Sequence, residues 1–256
     1  MLDNLKLPNE TIDKIYDDGF HPAVSEIGKA AGRLPRLINA AFASLDCWIA
    51  EREFHVEKTK QLLEENLKNV DPDKIVPPEP YVAVPAIQAL SYSMNSNELR
   101  ALYANLLSKA IYSDTKDSVH PAYVEIIKNL SPLDCKIFDF IMAKPTQEIG
   151  CYEIRVGKRG ESSYFVPFPL ITEIEIESYD KIAASIDNLS RNKLANQKDF
   201  HFSDDNMYIP IRNTSFYRAL EARYKNDDSS ELRPYKMSVK STSFGRAFYN
   251  ICSVPL

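Results

Sequence analysis

The sequence predicts a mainly helical α+β protein: an all-helical N-terminal part followed by a smaller part mixing helices with strands. Three observations carry this. Leu99, Leu102, Tyr103, Leu106, Leu107, Ala110 and Ile111 recur at unbroken helical spacing. The stretch CYEIRVGKRGESSYFVPF alternates around GKRG, a hairpin signal. After Ser131 helical and alternating segments intermix, whereas only helical patterns precede it. The expected division is therefore 1–130 and 131–256.

In the first part, Glu10 to Ala31 is helical but broken by Gly19 and Pro22, giving two short helices. Pro35 suits the first turn of a longer helix carrying Ile38, Phe42, Leu45 and Ile49 and ending near Val70. DPDKIVPPEPYVAVP, residues 71–85, holds five prolines in fifteen residues and reads as an extended connector. Helical spacing resumes at Ile87 and Leu90. After a polar SMNSN turn, Asn95 and Glu98 fit an N-cap and N3 pair for the strongest helix of the chain.

In the second part, Ser131-Pro132-Leu133-Asp134 has a cap, a first-turn proline and an acid at the positive end of a helix running to about Lys144. A hairpin is expected around 151–168, with Glu173, Glu175 and Glu177 alternating on a strand's solvent face beyond it. SYDKIAASIDNLSRNKLA is helical, KDFHFSDDNMYIPI reads as a strand pair, and FYRALEARYK as a short helix. YKMSVKSTS is a strand and SFGRAFYNIC a last short helix. This order is that of a winged-helix-like module with an inserted hairpin. Ala183–Ala195 would be its recognition helix and Met237–Val239 a wing strand.

Composition narrows the function classes. The net charge is −5; residues 1–130 carry it all, with 14 Lys and Arg against 19 Asp and Glu, while the remainder balances 17 against 17. That argues against a general nucleic-acid coat but leaves room for a local patch. Cys47, Cys135, Cys151 and Cys252 are far apart, as expected of reduced thiols in a cytoplasmic protein rather than a disulfide framework or zinc ribbon. The N-terminus lacks the pattern of a signal peptide, and no run reaches the ~18 apolar residues of a membrane span.

A search for chemistry yields no phosphate-cradling glycine motif, no HExxH and no GxSxG elbow. No catalytic residue, cofactor site or metal site is assigned, and the expectation is a protein that is not an enzyme. The loop with Asp114, Asp117, His120 and Pro121 looks reactive, but each residue has a duty at a helix terminus. The acids favour turns, His120 is held extended before proline, Pro121 suits the first position of the next helix, and a partly buried His120 is expected.

Two binding readings stand beside this. Asn188, Arg191 and Lys193 on the recognition helix, with Arg233, Lys236 and Lys240 near the chain end, could contact DNA phosphates or a protein partner. Membrane disruption by GKAAGRLPRLINAAFASL, within residues 20–50, is a weaker alternative, since that stretch also suits a packed helical core.

One resemblance covers most of the chain. NELRALYANLLSKAIYSDTKDSVHPAYVEIIKNLSPLDCKIFDFI resembles the bacterial Abi-alpha, or abortive-infection alpha, family. Leu99, Arg100, Tyr103, Ala104, Asn105, Leu106 and Leu107 match its first motif helix. His120, Pro121, Tyr123, Val124, Ile126, Ile127, Leu130, Ser131 and Pro132 match the segment after its polar loop. The resemblance implies phage defence by killing or arresting the infected cell, and brings no catalytic residues. Arg100, Tyr103, Asn105, His120 and Pro121 are accordingly expected to be structural. The expected partner is a phage or host protein, or DNA, with a homo-oligomer open and a winged-helix DNA-binding regulator as the alternative function.

Overall fold

The computed structural model describes residues 61–90, 96–166, 170–199, 205–225 and 227–256. The expectations for residues 1–60, including the 20–50 stretch, lie outside the described residues. The described chain falls into two compact units: 61–128 with Phe248–Leu256, and Asn129–Ala247.

In the first unit, residues 61–67 are helical and bury Leu63 and Leu67. A 3-10 turn comes next at Pro72–Lys74, where Asp71 accepts from the Asp73 N–H at 3.0 Å. The chain then runs beside the residues after the motif helix, Val76 N–H donating to Ile111 and Ser113 N–H to Lys74 at 2.8 and 2.9 Å. Helix α1 spans Pro80–Leu90, so the extended connector is shorter than the sequence suggests. Pro80 at the first helical position has no donor to lose there, and burial of Val82, Ala83, Ala86 and Ile87 offsets the interior Pro85.

Helix α2, Asn97–Ala110, is capped by Ser96, whose Oγ accepts from Leu99 N–H at 3.2 Å. The cap therefore lies one residue beyond the expected Asn95. Every residue from Leu102 to Ala110 is buried, so α2 is covered on all sides. Helix α3 spans Ala122–Asn129. The chain end returns to this unit as a π-helical turn, Tyr249–Ser253.

The second unit opens with α4, Pro132–Met142, on a full capping box. Ser131 Oγ accepts from Asp134 N–H at 3.2 Å, and Asp134 accepts from Ser131 N–H at 2.6 Å. Strand β1, Glu148–Lys158, turns back into the two-residue β2, Tyr164–Phe165, and β3, Ile171–Thr172, pairs further along it. Helix α5, Tyr179–Arg191, leads to β4, Ala195–Lys198. Helices α6, Ile209–Arg212, and α7, Ser215–Lys225, precede β5, Ser230–Ser241. Helix α8, Ser243–Phe248, comes after β5. The antiparallel sheet has the order β2-β1-β5-β4.

β1 pairs with β5 along its whole length, from Glu148↔Lys240 to Lys158↔Ser230. Pro234 lies beyond Ser238, where the pairing with β4 ends, so among the described residues β5 has no second neighbour at the proline. Tyr152, Ile154 and Val156 point from one face into a core with Ile171, Tyr208, Ile211, Tyr217 and Leu220. A Cβ on Gly150 of that face would come within 2.9 Å of the Met207 carbonyl, so the close approach requires glycine.

Two sequence expectations change here. Of the expected strand pair at 198–211, Lys198 is the last residue of β4, which begins at Ala195 inside the expected helix; Asp205–Tyr208 is a 3-10 turn and Ile209–Arg212 is helical. Tyr208 and Ile211 both reach the core at helical spacing, which an alternating strand would prevent. The acidic segment leaves the sheet after Thr172, whose Oγ1 accepts from Ile174 N–H at 3.1 Å and turns the chain. Its carboxylates act locally: Glu173 pairs with Lys144 at 3.0 Å, Glu175 accepts from Ser215 at the start of α7, and Glu177 pairs with Lys181.

Candidate functional site

The motif helix α2 concentrates polar groups where the apolar pattern predicts only packing. Asn105 donates to the Cys252 carbonyl at 2.8 Å and accepts from Asn66 at the same distance. Ser108, one turn on, accepts from Asn66 at 3.2 Å and donates to the Ala104 carbonyl at 2.7 Å. Lys109 donates to the carbonyls of Asn250 and Val254, the latter at 2.7 Å. Burial holds the Lys109 ammonium below the usual lysine range. Asn105 thus gives the buried Cys252 carbonyl a donor, while Lys109 serves the carbonyls of Asn250 and Val254 on either side of it. Arg100 is buried and donates to Asn97 at 2.8 Å; Tyr103 is fully buried.

The histidine loop belongs to the same unit. Asp114 accepts from Lys74 at 2.6 Å and from Tyr112 at 2.9 Å, contacts that hold its carboxyl below the usual range. His120 Nδ1 accepts from Ala122 N–H at 3.1 Å and so caps α3, as the local pattern suggests. It is exposed, not partly buried, because a cap on the first turn keeps the ring outside the helix. α3 begins at Ala122, so Pro121 stands one place before the helix it was expected to open.

The six candidate contact residues of the second unit do not form one surface. Asn188 is committed internally, donating to the Asn129 carbonyl at 2.7 Å and to Asp134 at 2.9 Å while accepting from Arg191 at 2.9 Å. Lys193 occupies the left-handed position of a Schellman turn, φ 60°, with its own N–H donating to Ser190 and that of Leu194 to Leu189. The Arg191 and Lys193 side chains are exposed at the end of α5. Lys236 and Lys240 share the β1–β5 face of Tyr152 and Glu148, whereas Arg233 alternates to the opposite face. Each of these three meets a carboxylate: Arg233 with Glu231, Lys236 with Asp205, and Lys240 with Glu148 at 2.9 Å.

A denser cluster lies beside Lys236. Arg212 Nε donates to the Tyr152 hydroxyl at 3.0 Å, and its Nη2 reaches Asp205 Oδ2 at 3.3 Å. Asp205 Oδ1 takes the Lys236 ammonium. Tyr152 stacks between Tyr208 and Tyr217, ring centroids 5.2 and 5.5 Å away. Burial pushes the Tyr217 phenol up to about 12 and also raises that of Tyr152. Lys236 first, then Arg212, holds the Asp205 carboxyl below its usual range. Lys109, Tyr152 and Arg212 are not singled out by the sequence analysis; the one signal available there is a lysine amid the apolar positions of the motif helix, four residues after Asn105.

Cys135, Cys151 and Cys252 are buried free thiols, and burial pushes those of Cys151 and Cys252 well up. Among the described residues no group of three or more His, Cys, Asp or Glu is placed to hold a metal ion, and no helix is long and apolar enough to cross a membrane.

Neither a curated protein nor a solved structure matches the chain. The family described as abortive infection alpha matches residues 51–252, a span that contains α2, the histidine loop, the whole second unit and the π-turn as far as Cys252, the residue that Asn105 bonds. The match covers well over half of the sequence, and the chain belongs to the abortive infection alpha family.

Proposed function

We propose that this protein is a bacterial, cytoplasmic antiphage factor that arrests or kills the infected cell by binding a phage or host protein, without catalysis of its own. The observation that carries this reading is the family match across residues 51–252. The non-catalytic part is supported by how the motif residues are used: Arg100, Asn105 and His120 all bond to groups of the chain itself, and the described cysteines are buried. Expressing the full chain in a phage-susceptible host should lower plating efficiency for part of a broad phage panel. Unchanged plating across the whole panel would overturn the reading.

A second reading, a winged-helix-like DNA regulator, is favoured by one observation: Arg191 and Lys193 are exposed at the end of α5. The pairing of β1 with β5, the last strand, and of β5 with β4 supports the winged-helix-like arrangement. It predicts salt-dependent duplex binding that drops when Arg191 and Lys193 become Ala. No mobility shift at low salt would sink it.

A further inference from the structure

We infer that Arg212 and Lys236 form a binding site for a phosphate group, which Asp205 occupies as an internal stand-in when no ligand is bound. Two cations from different elements, α6 and β5, converge on the two oxygens of one carboxylate. Among these three side chains, two positive charges face one negative. The three side chains are 39, 30 and 55 % exposed for Arg212, Lys236 and Asp205, so an anion in solution reaches them.

The cations are also oriented in advance. The Tyr152 hydroxyl takes Arg212 Nε, and the stacked rings of Tyr208 and Tyr217 fix Tyr152 on both sides. The guanidinium edge toward Asp205 is therefore presented by a rigid core rather than by a freely rotating stem. Lys236 lies over the Tyr208 ring, its ammonium 5.3 Å from the centroid, which holds the second cation beside the first. A forked guanidinium next to an ammonium matches the oxygens of a phosphate better than the two oxygens of a carboxylate, because the phosphate offers more charge and a further acceptor.

The test titrates inorganic phosphate and adenosine monophosphate separately into the full chain at constant ionic strength, by calorimetry. Both should bind the unaltered protein, with Lys236→Gln weakening them by about fivefold or more, as expected for one lost charge-assisted contact. Similar affinities for the two identify a site for the free anion, and tighter nucleotide binding one for a phosphate ester. Asp205→Asn should tighten phosphate by about tenfold because the internal competitor is gone. Combining it with Lys236→Gln should abolish that gain. The inference is overturned if neither anion binds, if Asp205→Asn leaves affinity unchanged, or if the gain survives loss of Lys236. Should Asp205→Asn fail to fold, Lys236→Gln binding as tightly as the unaltered protein overturns it alone.

Discussion

The Asn105 side chain donates to the Cys252 carbonyl at 2.8 Å, joining residues 147 positions apart and tying the motif helix to the end of the chain. Replacing Asn105 by Leu keeps the branched shape but leaves the buried Cys252 carbonyl without its donor and removes one of the two acceptors of Asn66. The expected cost is about 1–3 kcal/mol of stability. Urea denaturation measures it, and hydrogen exchange should show faster opening of residues 249–254.

Lys109→Met removes the donor to the carbonyls of Asn250 and Val254 while keeping the apolar stem. Those carbonyls lie two residues to either side of Cys252, so the effects of Asn105→Leu and Lys109→Met should not add. A double-mutant cycle is expected to give a coupling of about 0.5–3 kcal/mol. Strict additivity would show that the two side chains hold the turn independently.

Asn188 and Asp134 are a structural pair in the second unit. Asn188→Ala takes a donor from Asp134 and from the Asn129 carbonyl, and should cost about 1–2 kcal/mol. An unchanged denaturation midpoint would return Asn188 to the surface role its position in α5 suggests.

Lys193 holds a left-handed backbone, φ 60°, at the end of α5. Lys193→Gly removes the Cβ strain and should stabilise the protein by about 0.5–1 kcal/mol, the gain partly offset by the freer unfolded chain. Thermal denaturation checks the sign. The same variant removes an exposed charge, so weaker DNA binding with higher stability would separate the two roles of this residue.

Asp227 Oδ1 accepts from Ser229 N–H, Ser229 Oγ and Ser230 N–H at 2.9, 2.7 and 3.0 Å, which holds its carboxyl down to about 2. A depressed carboxyl contributes stability that is present above its unfolded value, 3.8, and is lost as pH falls through about 2. NMR titration of the side chain should show that low midpoint, with amides at the start of β5 losing protection in the same range. A midpoint near 3.8 would mean that the three hydrogen bonds do not persist in solution.

The longer helices Asn97–Ala110, Pro132–Met142 and Tyr179–Arg191, the Ser131 cap, the hairpin and the family motif were legible in the sequence because each rests on local periodicity or on end chemistry spanning a few residues. Sequence periodicity could not show that Tyr208 and Ile211 would complete a core under β1, which converts an expected strand into helix. Nor could it show that Lys236 and Lys240 would face one way and Arg233 the other, since that depends on register with β1. Tertiary structure alone decided that Asn105 and Lys109 serve the last residues of the chain, and that Arg212 and Lys236 meet at Asp205. Those groups are distant in sequence, and a buried carbonyl or an isolated carboxylate recruits whichever donors the folded backbone brings within hydrogen-bonding reach.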